Sequence, residues 1–81
     1  MAADFDALVA AMDRCRQLEV TVEVRAGHVA DTARECLSEL DAGTPVAEAT
    51  KFLRRELARL QEAEDALRAA RQARDAAAGA P

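Results

Sequence analysis

The sequence predicts an all-α protein, an antiparallel and coiled-coil-like helical hairpin. Three observations predict it. Helix formers (Ala, Leu, Glu, Arg) dominate, and Phe5 and Phe52 are the only aromatic residues. Apolar and small residues recur at intervals of three and four along most of the chain. A single strong break, "LDAGTPVAEA", divides the pattern in two.

The first helix is expected over about residues 4–41. Its seam reads Phe5, Leu8, Met12, Cys15, Val22, Ala26, Val29, Ala33, Cys36 and Leu40, interrupted only at Glu19. Within it, "LEVTVEVRAGH" (residues 18–28) alternates like a strand. A strand needs neighbours for its backbone groups, and no other segment reads as one, so helix is preferred. The β-branched residues and Gly27 mark residues 21–27 as the place for a kink or break, which would divide the chain into three helices.

The turn is expected at residues 41–45. Gly43 suits the left-handed conformation after a helix C-terminus, Thr44 suits an N-cap, and Pro45 suits the first helical position. The second helix follows over about residues 45–76, with a seam of Val46, Ala49, Leu53, Leu57, Leu60, Ala63, Leu67 and Ala70. Residues 77–81 lack periodicity and are expected to fray. Residues 1–81 thus form one small domain, and so short a chain buries too little surface to be stable with ease on its own.

Charge is unevenly placed. Residues 1–43 hold nine acids and four bases, and residues 44–81 hold six acids and seven bases, so an acidic half faces a slightly basic one. Arg54, Arg55, Arg59, Arg68, Arg71 and Arg74 are diluted by Glu56, Glu62, Glu64 and Asp65, which disfavours a nucleic-acid footprint. Glu64 and Arg68 have the spacing of an intrahelical pair. No basic-then-apolar leader and no long apolar run is present, so a cytoplasmic protein without a membrane span is expected.

Chemical signatures are sparse. Cys15 and Cys36 are expected to be free thiols on the seam, roughly 31 Å apart on a continuous helix. Neither has metal-ligand spacing to a second Cys or His, and His28 lacks the paired Glu-x-x-His motifs of a carboxylate-bridged centre. No Gly-rich phosphate loop occurs. No cofactor, metal or catalytic residue is therefore expected, and the chain reads as a non-enzyme.

The apolar stripes carry the functional expectation. Phe5, Leu8, Val9, Met12, Leu18, Leu37, Phe52, Leu53, Leu57 and Leu60 make stripes wider than one mutual contact covers. A third and fourth helix, from a protein partner in a hetero-oligomer or from a second copy, would cover the remainder. Val20 and Val24, four residues apart and away from the seam, are further contact candidates.

From Arg34 onward, "RECLSELDAGTPVAEATKFLRRELARLQEAEDALRAA" resembles the small hairpin co-chaperones of bacterial type III secretion needle proteins in its helix, Gly-centred turn and Leu/Ala seam. The resemblance implies a chaperone component that works with a larger chaperone to hold an aggregation-prone needle subunit in the cytoplasm, with Phe52, Leu53, Leu57 and Leu60 among the contacts. The "LDAGTPVAEA" turn is also similar to that of the small subunit of exodeoxyribonuclease VII, which implies the alternative of an accessory subunit in a larger enzyme. A self-associating helical bundle is the third expectation.

Overall fold

The structure, a computed structural model, describes residues 2–79, with side chains from Phe5 onward. Two helices, α1 (Ala2–Asp41) and α2 (Ala47–Ala77), pack against each other as an antiparallel hairpin. The rod measures 63 × 16 × 16 Å. No strand occurs among the described residues.

The strand-like stretch is uninterrupted helix. Leu18 is buried and Val22 packs against the buried cluster, so packing outweighs the weak helix propensity of the valines. Thr21 is accommodated by donating its Oγ1–H to the Gln17 carbonyl at 3.1 Å. Gly27 stays in the helix, outside the left-handed region. The preferred reading of residues 18–28 as helix holds, and the alternative of a break at residues 21–27 is not realised.

The turn is built by Gly43, at φ 75°. Its N–H donates to the Leu40 carbonyl at 3.1 Å, and the Thr44 N–H donates to the Glu39 carbonyl at 2.9 Å. This pair of bonds is a Schellman motif, which satisfies carbonyls left open at the end of α1. The second helix starts later than expected, which corrects its capping. Val46 is the N-cap of α2, with no side-chain cap bond, and Thr44 and Pro45 lie ahead of it. The far end of α2 closes similarly: Gly79, at φ 74°, donates its N–H to the Ala76 carbonyl at 3.0 Å. Pro81 and Ala80, part of the tail expected to fray, lie outside the described residues.

The seam differs in phase from the expected one. In α1 the inward positions are Leu8, Ala11, Cys15, Leu18, Val22, Arg25, Val29, Thr32, Cys36 and Glu39, all buried or half-buried. In α2 they are Val46, Ala49, Leu53, Glu56, Leu60, Ala63, Leu67, Ala70, Arg74 and Ala77. Both series alternate three and four without a fault, as two interlocking helices require. Phe5, Met12, Ala26 and Leu40 are therefore exposed flank residues, not seam residues, and Leu57 yields its place to Glu56.

The apolar core lies toward the free end of the hairpin. Cys15, Leu18, Leu67 and Ala70 form the buried cluster, with Val22 and Ala66 against it. Its small residues let the helices approach closely. Cys15 and Cys36 are free thiols, the first buried and the second half-buried. The charge asymmetry between the halves contributes little to pairing: among the described residues Glu19–Arg71 is the ion pair that bridges the helices, His28 approaches Glu56 across the seam, and the other ion pairs lie within one helix. Arg68 pairs with Asp65 at 3.3 Å, not with Glu64.

Candidate functional site

The seam divides the hairpin into two flanks, each marked by one interhelical contact. Arg71 Nη2 lies 3.7 Å from Glu19 Oε1 on the first flank. His28 Nδ1 lies 3.8 Å from Glu56 Oε2 on the second. Helical register assigns the remaining exposed residues to one flank or the other.

The first flank carries the larger apolar side chains. Phe5 (66% exposed), Val9 and Met12 line its free end, spaced four and three apart along α1. Leu37 (61%), Leu40 (57%) and Leu57 (46%) line its turn end, with Ala26, Ala30 and Ala33 leading up to them on α1. Glu19, Glu23, Glu64, Arg68 and Arg71 occupy the middle. The buried cluster of the seam thus holds Cys, Leu and Ala, while Phe5, Met12 and three leucines remain outside the seam.

The second flank holds an open-sided cleft of about 320 Å³, lined by Arg25, His28, Asp31, Thr32, Phe52, Glu56 and Arg59. Glu56 occupies a seam position and is only 4% exposed. Its Oε1 accepts a hydrogen bond from Arg59 Nη1 at 3.3 Å, while Oε2 has no hydrogen-bond partner. A buried oxygen left in this way costs roughly 1–3 kcal/mol. Arg25 and Thr32 are also seam residues, so this part of the hairpin is polar where a coiled coil is ordinarily apolar.

The residues singled out from the sequence separate in space. Val20 and Val24 are exposed on α1, Val20 on the outer face and Val24 toward the second flank. Phe52 borders the cleft, and Leu57 lies on the first flank. Leu53 and Leu60 are half-buried in the seam. Sequence reasoning missed Glu56, Arg25 and Thr32 as inward residues. A signal for Glu56 existed: steps that alternate strictly from Ala49 to Ala63 pass through Glu56, as in Leu53, Glu56 and Leu60, whereas a path through Leu57 repeats an interval.

Cys15 is 3% exposed within the seam. Among the described residues no three His, Cys, Asp or Glu side chains are grouped so as to hold a metal ion. No helix of the structure is long and apolar enough to cross a membrane. The fold and flanks define a helical hairpin with apolar side chains left uncovered. Comparison with protein-family models, curated proteins and solved structures finds no match to this chain.

Proposed function

We propose that this chain is a non-enzymatic protein-binding module that docks helices of a partner protein and so stabilises both. One observation carries the reading: Phe5, Met12, Leu37, Leu40 and Leu57 are left exposed outside the seam. Covering such side chains is worth about 1.5–3 kcal/mol each when burial is complete. Among the described residues no third element covers them.

The likeness of residues 34–70 to type III secretion co-chaperones supports a specific form, a cytoplasmic hairpin that shields an aggregation-prone helical subunit within a hetero-oligomer. The test is co-expression with the products of adjoining genes, followed by mass measurement of the purified species. The expected result is a complex of fixed stoichiometry that is lost when Leu37→Glu and Leu40→Glu are combined, with helicity retained. Recovery of the hairpin as a lone monomer would overturn the reading, and recovery as a self-associated species without these products would replace the secretion form by a self-associating bundle. Assembly with a large nuclease subunit would replace the secretion form by the accessory-subunit form.

A further inference from the structure

We infer that the first flank is an interface between two copies of this chain, packed with their long axes antiparallel into a four-helix bundle. The inference rests on the flank being a docking surface, and it names the occupant.

The flank is complementary to itself. On α1 the large side chains at its free end, Phe5, Val9 and Met12, are spaced four and three apart. At its turn end Ala33, Leu37 and Leu40 are spaced four and three as well. When a second α1 runs antiparallel across this face, Phe5 falls level with the partner's Leu40, Val9 with the partner's Leu37, and Met12 with the partner's Ala33. Large apolar residues meet one another at both ends, and the two-fold axis passes near Val22 and Glu23.

That axis also fixes the level of α2, because Glu19 contacts Arg71 and because Val22 and Leu67 line one cleft. Antiparallel α2 helices then place Glu64 level with the partner's Arg71. Leu57 falls level with the partner's Ala78. The two Glu23 carboxylates nearest the axis are level with two Arg68 guanidiniums, so like charges there are balanced. Apolar ends and a charge-matched middle come from one register, set by the apolar residues alone.

The other two-fold packing, with free end over free end, sets α1 of one copy against α2 of the other. It offers Glu19 to the partner's Arg71 and Glu23 to the partner's Arg68, but places Leu37 level with the partner's Arg54 and Leu40 level with the partner's Thr50. Exposed ion pairs contribute less than buried Phe and Leu side chains, so the apolar match decides. Size is sufficient: a flank 63 Å long and 16 Å wide has a footprint of roughly 1,000 Å², against the ~800 Å² per partner of a standard stable interface. A dimer so formed leaves Val24 and Phe52 on the second flank free for a different partner.

The experiment is light scattering of the full chain, alone, from micromolar to near-millimolar concentration. The expected mass at the upper end is twice 8.7 kDa. Combined Leu37→Glu and Leu40→Glu should return the monomer mass with helicity unchanged. Register is read by pairing Val9→Cys with Leu37→Cys in a chain carrying Cys15→Ala and Cys36→Ala. These positions lie about 42 Å apart on one helix, so a disulfide between them must join two copies. A monomer at every concentration overturns the inference, and so does a dimer that survives the glutamates or fails to form the disulfide. In each case a hetero-complex in the co-expression test would still leave the flank a docking surface.

Discussion

The two halves of the hairpin are built on different chemistry. Toward the free end the seam is apolar apart from Arg74, with Cys15, Leu18, Leu67 and Ala70 buried together. Toward the turn it contains Arg25, Thr32 and Glu39 on α1 and Glu56 on α2, and its apolar members Val29, Leu53 and Leu60 are only half-buried. The first half supplies most of the burial that holds the helices together. The second is held by the covalent turn, so a polar seam is tolerated where the helices are tethered. A buried charge in a coiled-coil seam is a known device for fixing register at a cost in stability.

The largest way to break this contrast is to place a charge in each half. Leu67→Asp puts a carboxylate into the buried cluster and should destabilise the hairpin by about 3 kcal/mol or more, read as loss of helicity on urea titration. Leu57→Asp falls on the exposed flank and should change the stability of the monomer by no more than about 0.5–1 kcal/mol, while abolishing assembly. Equal effects on folding would mean that Leu57 belongs to the seam.

A smaller effect, of opposite sign, is expected from Glu56→Leu. Removing a buried carboxylate with one unpartnered oxygen should stabilise the hairpin by about 1–2 kcal/mol, visible as a raised melting temperature. A loss of stability would show that the Arg59 contact outweighs the desolvation of the carboxylate. Gly43→Ala forces a Cβ into the left-handed region and should cost about 1 kcal/mol by the same melt. Gly27→Ala should gain about 0.5–1 kcal/mol, since a Cβ there meets no atom within 4 Å. Least of all is Arg71→Ala, whose half-exposed pair with Glu19 contributes no more than about 0.5 kcal/mol in the monomer. A larger effect would appear only in the dimer, which makes this variant a fine probe of the α2–α2 contact.

Much of the fold was legible because it depends on local chemistry. Gly43 announced the left-handed residue that ends α1, and the absence of any second strand candidate made helix the answer for residues 18–28. The phase of the seam was legible only in part. Leu8, Cys15, Val22, Val29 and Cys36 belong to either of two alternations of three and four, one completed by Phe5, Met12, Glu19, Ala26, Ala33 and Leu40, the other by Ala11, Leu18, Arg25, Thr32 and Glu39. Hydrophobicity read along one helix favours the first. The second is adopted because a close seam selects for size and fit across two helices, which the residues of one helix do not encode alone. Thr44 was misread as the cap because the turn runs on past it: α2 begins at Ala47, with Val46 in the N-cap position, so Thr44 lies two residues too early. The exposed flank became visible only once the large residues were seen to be excluded from the seam.

The slenderness of the rod governs how the molecule travels through a solvent. Its radius of gyration is 18.2 Å, against about 12 Å for a compact chain of this length. Frictional drag rises with such asymmetry, so gel filtration calibrated with spherical standards assigns the single hairpin an inflated molecular weight. Side-by-side association thickens the particle without lengthening it, and its elution should shift less than its doubled mass implies.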